Sequence, residues 1–306
     1  MKQAVWAEIP ERGTMWWMRL AIRALKLVGY WGGICFAGLA AIYFFITGTG
    51  SRRASLDYLR HLHRAQPQRI PRPTRWHAFL HHWHFSLNVV DRMWLWQGRL
   101  DLFEFIRKGR SHILELKGRG ALLMGAHIGS FDALRAFSLD KGVTLNVVMY
   151  REHATKINAL FQSLNPDSGV RIMQLDGSDF EEIFKLKDCV DRGELVAILA
   201  DRAAPYGKKR QDSFEFLGKP AAFPQNPWIL ASLLECPVFM TVGLRTGWRR
   251  YHIILEPLAE RVVLPRASRN QSLHAYMESY VRRLERLCCQ FPYQWFNFYD
   301  FWKQDG

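Results

Sequence analysis

Ala121-Leu122-Leu123-Met124-Gly125-Ala126-His127-Ile128-Gly129-Ser130-Phe131-Asp132 is the stretch that decides the fold class of this chain. The apolar run Ala121 to Met124 reads as a short buried strand, and Gly125 and Gly129 supply a permissive turn. Ser130-Phe131-Asp132 then opens a helical pattern that continues through Ala133, Leu134 and Phe137. His127 therefore stands at a strand's exit, with the Asp132 carboxylate about one helical turn further on. A carboxylate there can accept a hydrogen bond from one ring N–H, fix the tautomer and leave the other nitrogen to accept a proton from a hydroxyl. The plain alternative is a core histidine beside an aspartate that only favours a helix N-terminus.

Further short apolar runs follow the same plan: Thr144 to Met149, Val170 to Leu175, Leu195 to Ala200, Val238 to Leu244 and Tyr251 to Leu255. Helical patterns separate them over His153 to Leu164, Asp179 to Asp191 and Pro227 to Glu235. A last one carries Leu273, Met277, Tyr280, Val281, Leu284 and Leu287. Alternation of this kind predicts an α/β fold, a mixed central sheet flanked by helices, from about residue 99 to 306.

Ahead of it, Leu27 to Ile46 runs for twenty residues without a charge. At about 1.5 Å per residue such a helix spans a hydrocarbon core of about 30 Å, so residues 1–50 are expected to hold a transmembrane anchor. A buried core helix is the soluble alternative. Aromatic residues at both ends (Trp16, Trp17, Tyr30 and Trp31; Tyr43, Phe44 and Phe45) match interfacial belts. Arginines and lysines before and after the span nearly balance, so charge leaves its orientation open. Residues 51–98 then form a basic, His- and Pro-containing connection and an amphipathic helix with Trp76, Phe79, Leu80, Trp83, Leu87, Val90 and Trp94 at helical spacing. That helix suits packing on the domain or lying at a membrane interface.

Forty-two Lys and Arg against 28 Asp and Glu give a formal charge of +14. Such a balance suits nucleic acid, an anionic membrane or an acidic carrier protein. Twelve Trp, twenty Phe and ten Tyr tilt the choice toward a lipid interface. Five cysteines without C-x-x-C spacing indicate neither a zinc site nor a disulfide framework and point to a reducing compartment.

Asp201-Arg202 ends one apolar run and Tyr150-Arg151 another, where strand ends of α/β folds meet a cleft. A surface ion pair is the plain reading of the former. His77, His81 and His84 share a helix face, but the interleaved Trp and Phe favour an amphipathic helix over a metal site. Hydrolysis through a serine lacks a G-x-S-x-G elbow, and nucleotide use lacks both glycine-rich phosphate motifs.

Three landmarks together resemble the lipid A biosynthesis late acyltransferases (lauroyl and myristoyl acyltransferases) of the lysophospholipid acyltransferase superfamily. GAHIGSFDALRA at 125–136 looks like the His-x4-Asp/Glu catalytic motif, and VAILADRAAPYGKKRQDSFEFLGKPAAFPQNPWILA at 196–231 like the segment with an aspartate, a Phe/Gly turn and a helix. FPYQWFNFYDFW at 291–302 looks like the C-terminal aromatic signature. The wording of the last two is closer to a divergent branch found with aryl polyene or other lipid clusters. The resemblance implies a glycerolipid acyltransferase-like fold and transfer of an acyl chain from a thioester, on acyl carrier protein or coenzyme A, to a hydroxyl or amine of a lipid or glycolipid. No cofactor and no metal are implied. Placement is implied in the bacterial inner membrane, single-pass, with the catalytic domain facing the cytoplasm.

On this reading His127 is the general base and Asp132 orients it. Arg151 and Arg202 are candidates for oxyanion or phosphate contacts, and Asp201 orients one of them or the acceptor. Gly125 and Gly129 let substrates approach the backbone, and Lys208, Lys209 and Arg210 form a basic patch for donor docking. The rivals are a catalytically silent membrane-anchored lipid-binding protein and a lipid hydrolase using the same His/Asp pair. Nucleic-acid binding rests on charge alone and is not expected.

Overall fold

The structure is a computed structural model and describes residues 15–116, 118–134, 144–150, 170–175, 180–202 and 210–303. Three helices lead: α1 (Met15–Thr47), α2 (Thr49–Ala65) and α3 (Arg75–Trp96). The α/β part follows as β1 (Glu104–Lys108), α4 (Arg110–Glu115), β2 (Ala121–Gly125), β3 (Leu145–Tyr150), β4 (Val170–Leu175), α5 (Phe180–Asp191) and β5 (Leu195–Leu199). It continues with β6 (Gln211–Phe216), β7 (Lys219–Pro224), α6 (Asn226–Leu234), β8 (Val238–Gly247), β9 (Arg250–Ala259) and α7 (Arg269–Gln290).

Seven strands form one sheet in the order β1-β9-β8-β2-β5-β3-β4, and β6 and β7 make a separate antiparallel pair. Neighbours from β8 to β4 run parallel, whereas β9 is antiparallel to β8 and carries β1 alongside it. The expected mixed α/β sheet is therefore present. Strand β2 is buried along its whole length because both sheet faces are covered. Leu122 and Met124 point into one core with Val196, Val238, Met240, Leu284 and Trp295. Ala121 and Leu123 point into the other with Leu195, Ala197, Phe239 and Ile253. Each such large apolar side chain contributes roughly 1.5–3 kcal/mol on leaving water.

Two features escaped the sequence pattern. β1 (EFIRK) and β6 (QDSFEF) mix charged or polar residues with apolar ones and stay partly exposed, which is the habit of edge strands. The helical pattern opened by Asp132 begins as a 3-10 turn at Asp132–Leu134, and its continuation through Phe137 lies outside the described residues. The proposed helix at His153 to Leu164 lies outside the described residues.

Helix α1 includes the apolar stretch Arg23–Thr47, long and apolar enough to cross a membrane. It is not a free rod. Leu25, Tyr30, Ile34 and Ala37 are buried against Leu87, Val90 and Trp94 of α3. Gly33 makes the approach possible, since a Cβ there would lie 3.0 Å from Val90 Cγ1. Of the two uses open to α3, the structure shows packing. Tyr30 also donates to Asp91 (3.1 Å), and the fully buried Asp91 receives Arg245 Nε at 2.9 Å and the Tyr251 hydroxyl at 2.6 Å.

Candidate active site

Strands β2 and β5 are parallel neighbours, with Gly125 level with Leu199. His127 and Asp201 each stand two residues beyond that last pair, so the register sets them side by side on the same sheet edge. The geometry follows: His127 Nδ1 meets Asp201 Oδ1 at 2.7 Å, and the His127 backbone N–H donates to Oδ2 at 3.0 Å. Because a carboxylate accepts, Nδ1 carries the proton and Nε2 is left as the basic nitrogen. The expected pairing of His127 with Asp132 is thereby corrected. Asp132 turns instead toward α3, where its carboxylate accepts from Arg92 Nε (2.7 Å) and Trp96 Nε1 (2.6 Å). Two donors on α3 capture it from the 3-10 turn. Asp201 is wholly buried, so it touches the histidine rather than an acceptor.

Electrostatics sharpen the roles. Burial would raise the Asp201 carboxyl, but the facing His127, its hydrogen bonds and the adjacent Arg202 outweigh that and hold it well below the usual carboxylate range. Burial, and then Arg202, push the His127 imidazole below its ordinary value against the opposing pull of Asp201. A neutral base beside an ionised carboxylate results at neutral pH. Roughly a third of the His127 side chain is reachable from outside.

Residues from the C-terminal aromatic stretch at 291–302 complete the support, in individual roles that the motif did not indicate. The Trp295 indole N–H donates to Asp201 Oδ2 at 3.0 Å. The Phe296 N–H donates to the His127 carbonyl at 2.8 Å and the Gly129 N–H to the Gln294 carbonyl at 2.8 Å. From α3, His81 holds the Trp295 carbonyl through Nε2 and the Ser55 hydroxyl through Nδ1, each at 2.9 Å. Burial pushes this imidazole down to about 3, so it is a neutral strut. His77 is bonded to Thr74, and His77 and His84 both stack on Tyr293, while His81 serves Trp295 and Ser55.

The remaining expected residues divide. Arg202 Nη2 donates to the Phe296 carbonyl at 2.6 Å, and its guanidinium lies 5.1 Å from the Tyr299 ring centroid. Its Nε is buried without a hydrogen-bond partner among the described residues. Gly129 has φ +65°, and a Cβ there would meet the Gly243 carbonyl oxygen at 2.2 Å. That glycine admits the close approach of β8. Gly125 is likewise enclosed: a Cβ would lie 3.1 Å from Leu199 Cδ2, and its carbonyl accepts from the Tyr280 hydroxyl at 2.8 Å. Arg151, Lys208 and Lys209 lie outside the described residues, and Arg210 is exposed.

What the arrangement can do chemically is take a proton at Nε2 and store the resulting charge against Asp201. No curated protein matches the chain in sequence. A family comparison matches residues 97–304, more than half of the chain, to the bacterial lipid A biosynthesis acyltransferases, with the His127/Asp201 edge inside the matched region. The chain therefore belongs to the bacterial lipid A biosynthesis acyltransferase family and is an acyltransferase.

Proposed function

We propose that this acyltransferase moves an acyl chain from a thioester donor to a hydroxyl or amine of a lipid or glycolipid, with His127 as general base and Asp201 as its orienting carboxylate. The observation that carries the reading is the 2.7 Å contact of Nδ1 with Asp201, which leaves Nε2 as the proton acceptor. Nε2 takes the acceptor's proton as its oxygen or nitrogen attacks the thioester carbon. The tetrahedral oxyanion collapses with loss of the thiolate, which recovers the proton from the imidazolium. A thiolate leaves readily, so no protein nucleophile is required.

Arg202 stands close enough to His127 to depress its basicity, and its buried Nε–H has no partner among the described residues. It is our candidate for the oxyanion or a substrate phosphate. Asp132 acts at one remove, by fixing Arg92, whose charge also reaches His127. Arg151 remains a candidate substrate contact. Acyl carrier protein and coenzyme A are both anionic and both suit a chain of formal charge +14, so either donor is allowed. A bacterial inner membrane with the domain on the cytoplasmic side supplies both donor and lipid, and a divergent acceptor such as an aryl polyene lipid falls within the proposal.

The experiment compares membrane lipids by mass spectrometry from cells expressing the native chain or His127→Ala at matched abundance. An acylated lipid seen only with the native chain supports the reading and identifies the acceptor. Identical profiles in the presence of donor favour the silent lipid-binding alternative.

A further inference from the structure

The outer face of α1 is apolar and bare: Leu27 is 88% exposed, Leu39 68% and Trp31 61%. It does not end with the helix. Trp248, at the tip of the β8–β9 hairpin and 54% exposed, lies against Trp31 with ring centroids 5.7 Å apart. The indole is held in place from below by Arg245, whose guanidinium lies 5.2 Å from its ring centroid. Arg245 is in turn ion-paired to the fully buried Asp91. A contiguous surface of this kind, fixed rather than folded away, is costly in water and marks a contact with something apolar.

The neighbouring charges say what that is. Arg249, whose guanidinium turns back over the Tyr30 ring, and Arg250, which pairs with Glu104, share the hairpin tip with Trp248, and Arg52 and the exposed Arg53 follow the far end of α1. Tryptophan between arginines, continuous with an apolar helix, matches the headgroup level of an anionic bilayer. The sheet register gives the orientation. Gly243 of β8 is level with Gly129 beside His127, and β8 runs on past that level to Gly247, on the same edge as the catalytic loop. At about 3.3 Å per residue the hairpin tip projects roughly 16 Å beyond it.

We infer that the β8–β9 hairpin tip, together with the outer face of α1, is the surface on which the catalytic domain sits against an anionic phospholipid bilayer, Trp248 lying among headgroups and upper acyl chains. Membrane contact is then made by the domain itself as well as by α1, and the edge carrying His127 faces the lipid. The inference does not depend on acyl transfer.

The test places photoreactive benzoylphenylalanine in the full-length chain by Trp248→benzoylphenylalanine, with Arg282→benzoylphenylalanine on α7 as the control. Protein in vesicles of phosphatidylglycerol and phosphatidylcholine is irradiated and its adducts are identified by mass spectrometry. We expect a phospholipid adduct from position 248 at least about tenfold above the control, falling several-fold in phosphatidylcholine alone. Lipid adducts no more frequent than at position 282, or crosslinks to another protein chain only, overturn the assignment. Yield unchanged in phosphatidylcholine alone overturns its anionic part. Since the readout is covalent proximity, it stands or fails separately from the lipid mass spectrometry above.

Discussion

The Trp295 indole N–H donates to Asp201 Oδ2 at 3.0 Å, on the carboxylate whose other oxygen faces His127 Nδ1 at 2.7 Å. One buried anion is thus shared between a fixed donor from the C-terminal stretch and the proposed base. A hydrogen bond to a charged group contributes about 1.5–3 kcal/mol. Without it Asp201 becomes more basic and draws the imidazole toward its charged form. Trp295→Phe is therefore expected to lower kcat about tenfold with KM little changed, and to move the acid limb of the pH–rate profile upward. A tryptophan that only filled space, among Tyr58, Phe216 and Phe301, would change stability and leave the acid limb in place.

Asp201 and Asp132 are separable by the same readout. Asp201→Asn removes the anion that favours imidazolium, so turnover should fall by about 10² to 10⁴ and the residual acid limb should move downward. Asp132→Asn frees Arg92 and Trp96 and should also cost turnover, but with a much smaller effect on His127 titration, followed directly by NMR of ¹³C-labelled imidazole. A downward shift produced by Asp132→Asn and not by Asp201→Asn would assign the orienting role to Asp132.

These two aspartates show what was legible in the sequence. The α/β alternation, the strand carrying His127 and the crowding of polar residues at strand ends could all be read from apolar runs, because buried parallel strands are nearly continuous in hydrophobicity. Choosing the partner of His127 requires knowing which strands are neighbours. The signal was present in the equal spacing from Ala121 to His127 and from Leu195 to Asp201, which becomes meaningful only once β2 and β5 pair in register. Proximity along the chain favoured Asp132, whereas α3, distant in sequence, removes it through Arg92 and Trp96. Trp295 stood out only as one aromatic in the stretch 291–302, and its bond to Asp201, 94 positions away, left no mark in the spacing.

Arg202 gives the pH dependence a second handle. Burial comes first among the causes that hold the His127 imidazole down, and the Arg202 cation follows. A neutral base is the active form, so the acid limb of kcat/KM should lie below the ordinary imidazole value of about 6.5. Arg202→Gln removes a cation that opposes protonation, so His127 gains affinity for a proton and the acid limb moves to higher pH. Arg202→Lys keeps the charge and should leave the limb nearer its native position while still lowering kcat, as expected if the guanidinium also contacts the oxyanion. Acid limbs unchanged in both variants would remove Arg202 from the neighbourhood of the base.

Asp91 determines whether α1 behaves as part of the domain. It receives Tyr30 from α1, Arg245 from β8 and Tyr251 from β9, and no part of it is exposed. Arg245 is nearly as buried, so Asp91→Ala strands a cation away from water and should destabilise the protein by about 3–5 kcal/mol, seen as a lower denaturation midpoint in detergent. Replacing both members, Asp91→Leu with Arg245→Met, removes the stranded charge and should recover much of that loss. It also frees the Tyr30 hydroxyl and the support beneath Trp248. The double variant should therefore be well folded but cleaved more readily by protease between α1 and α2. A double variant as resistant as the native chain would mean that apolar packing on α3 holds α1 without help from the buried pair.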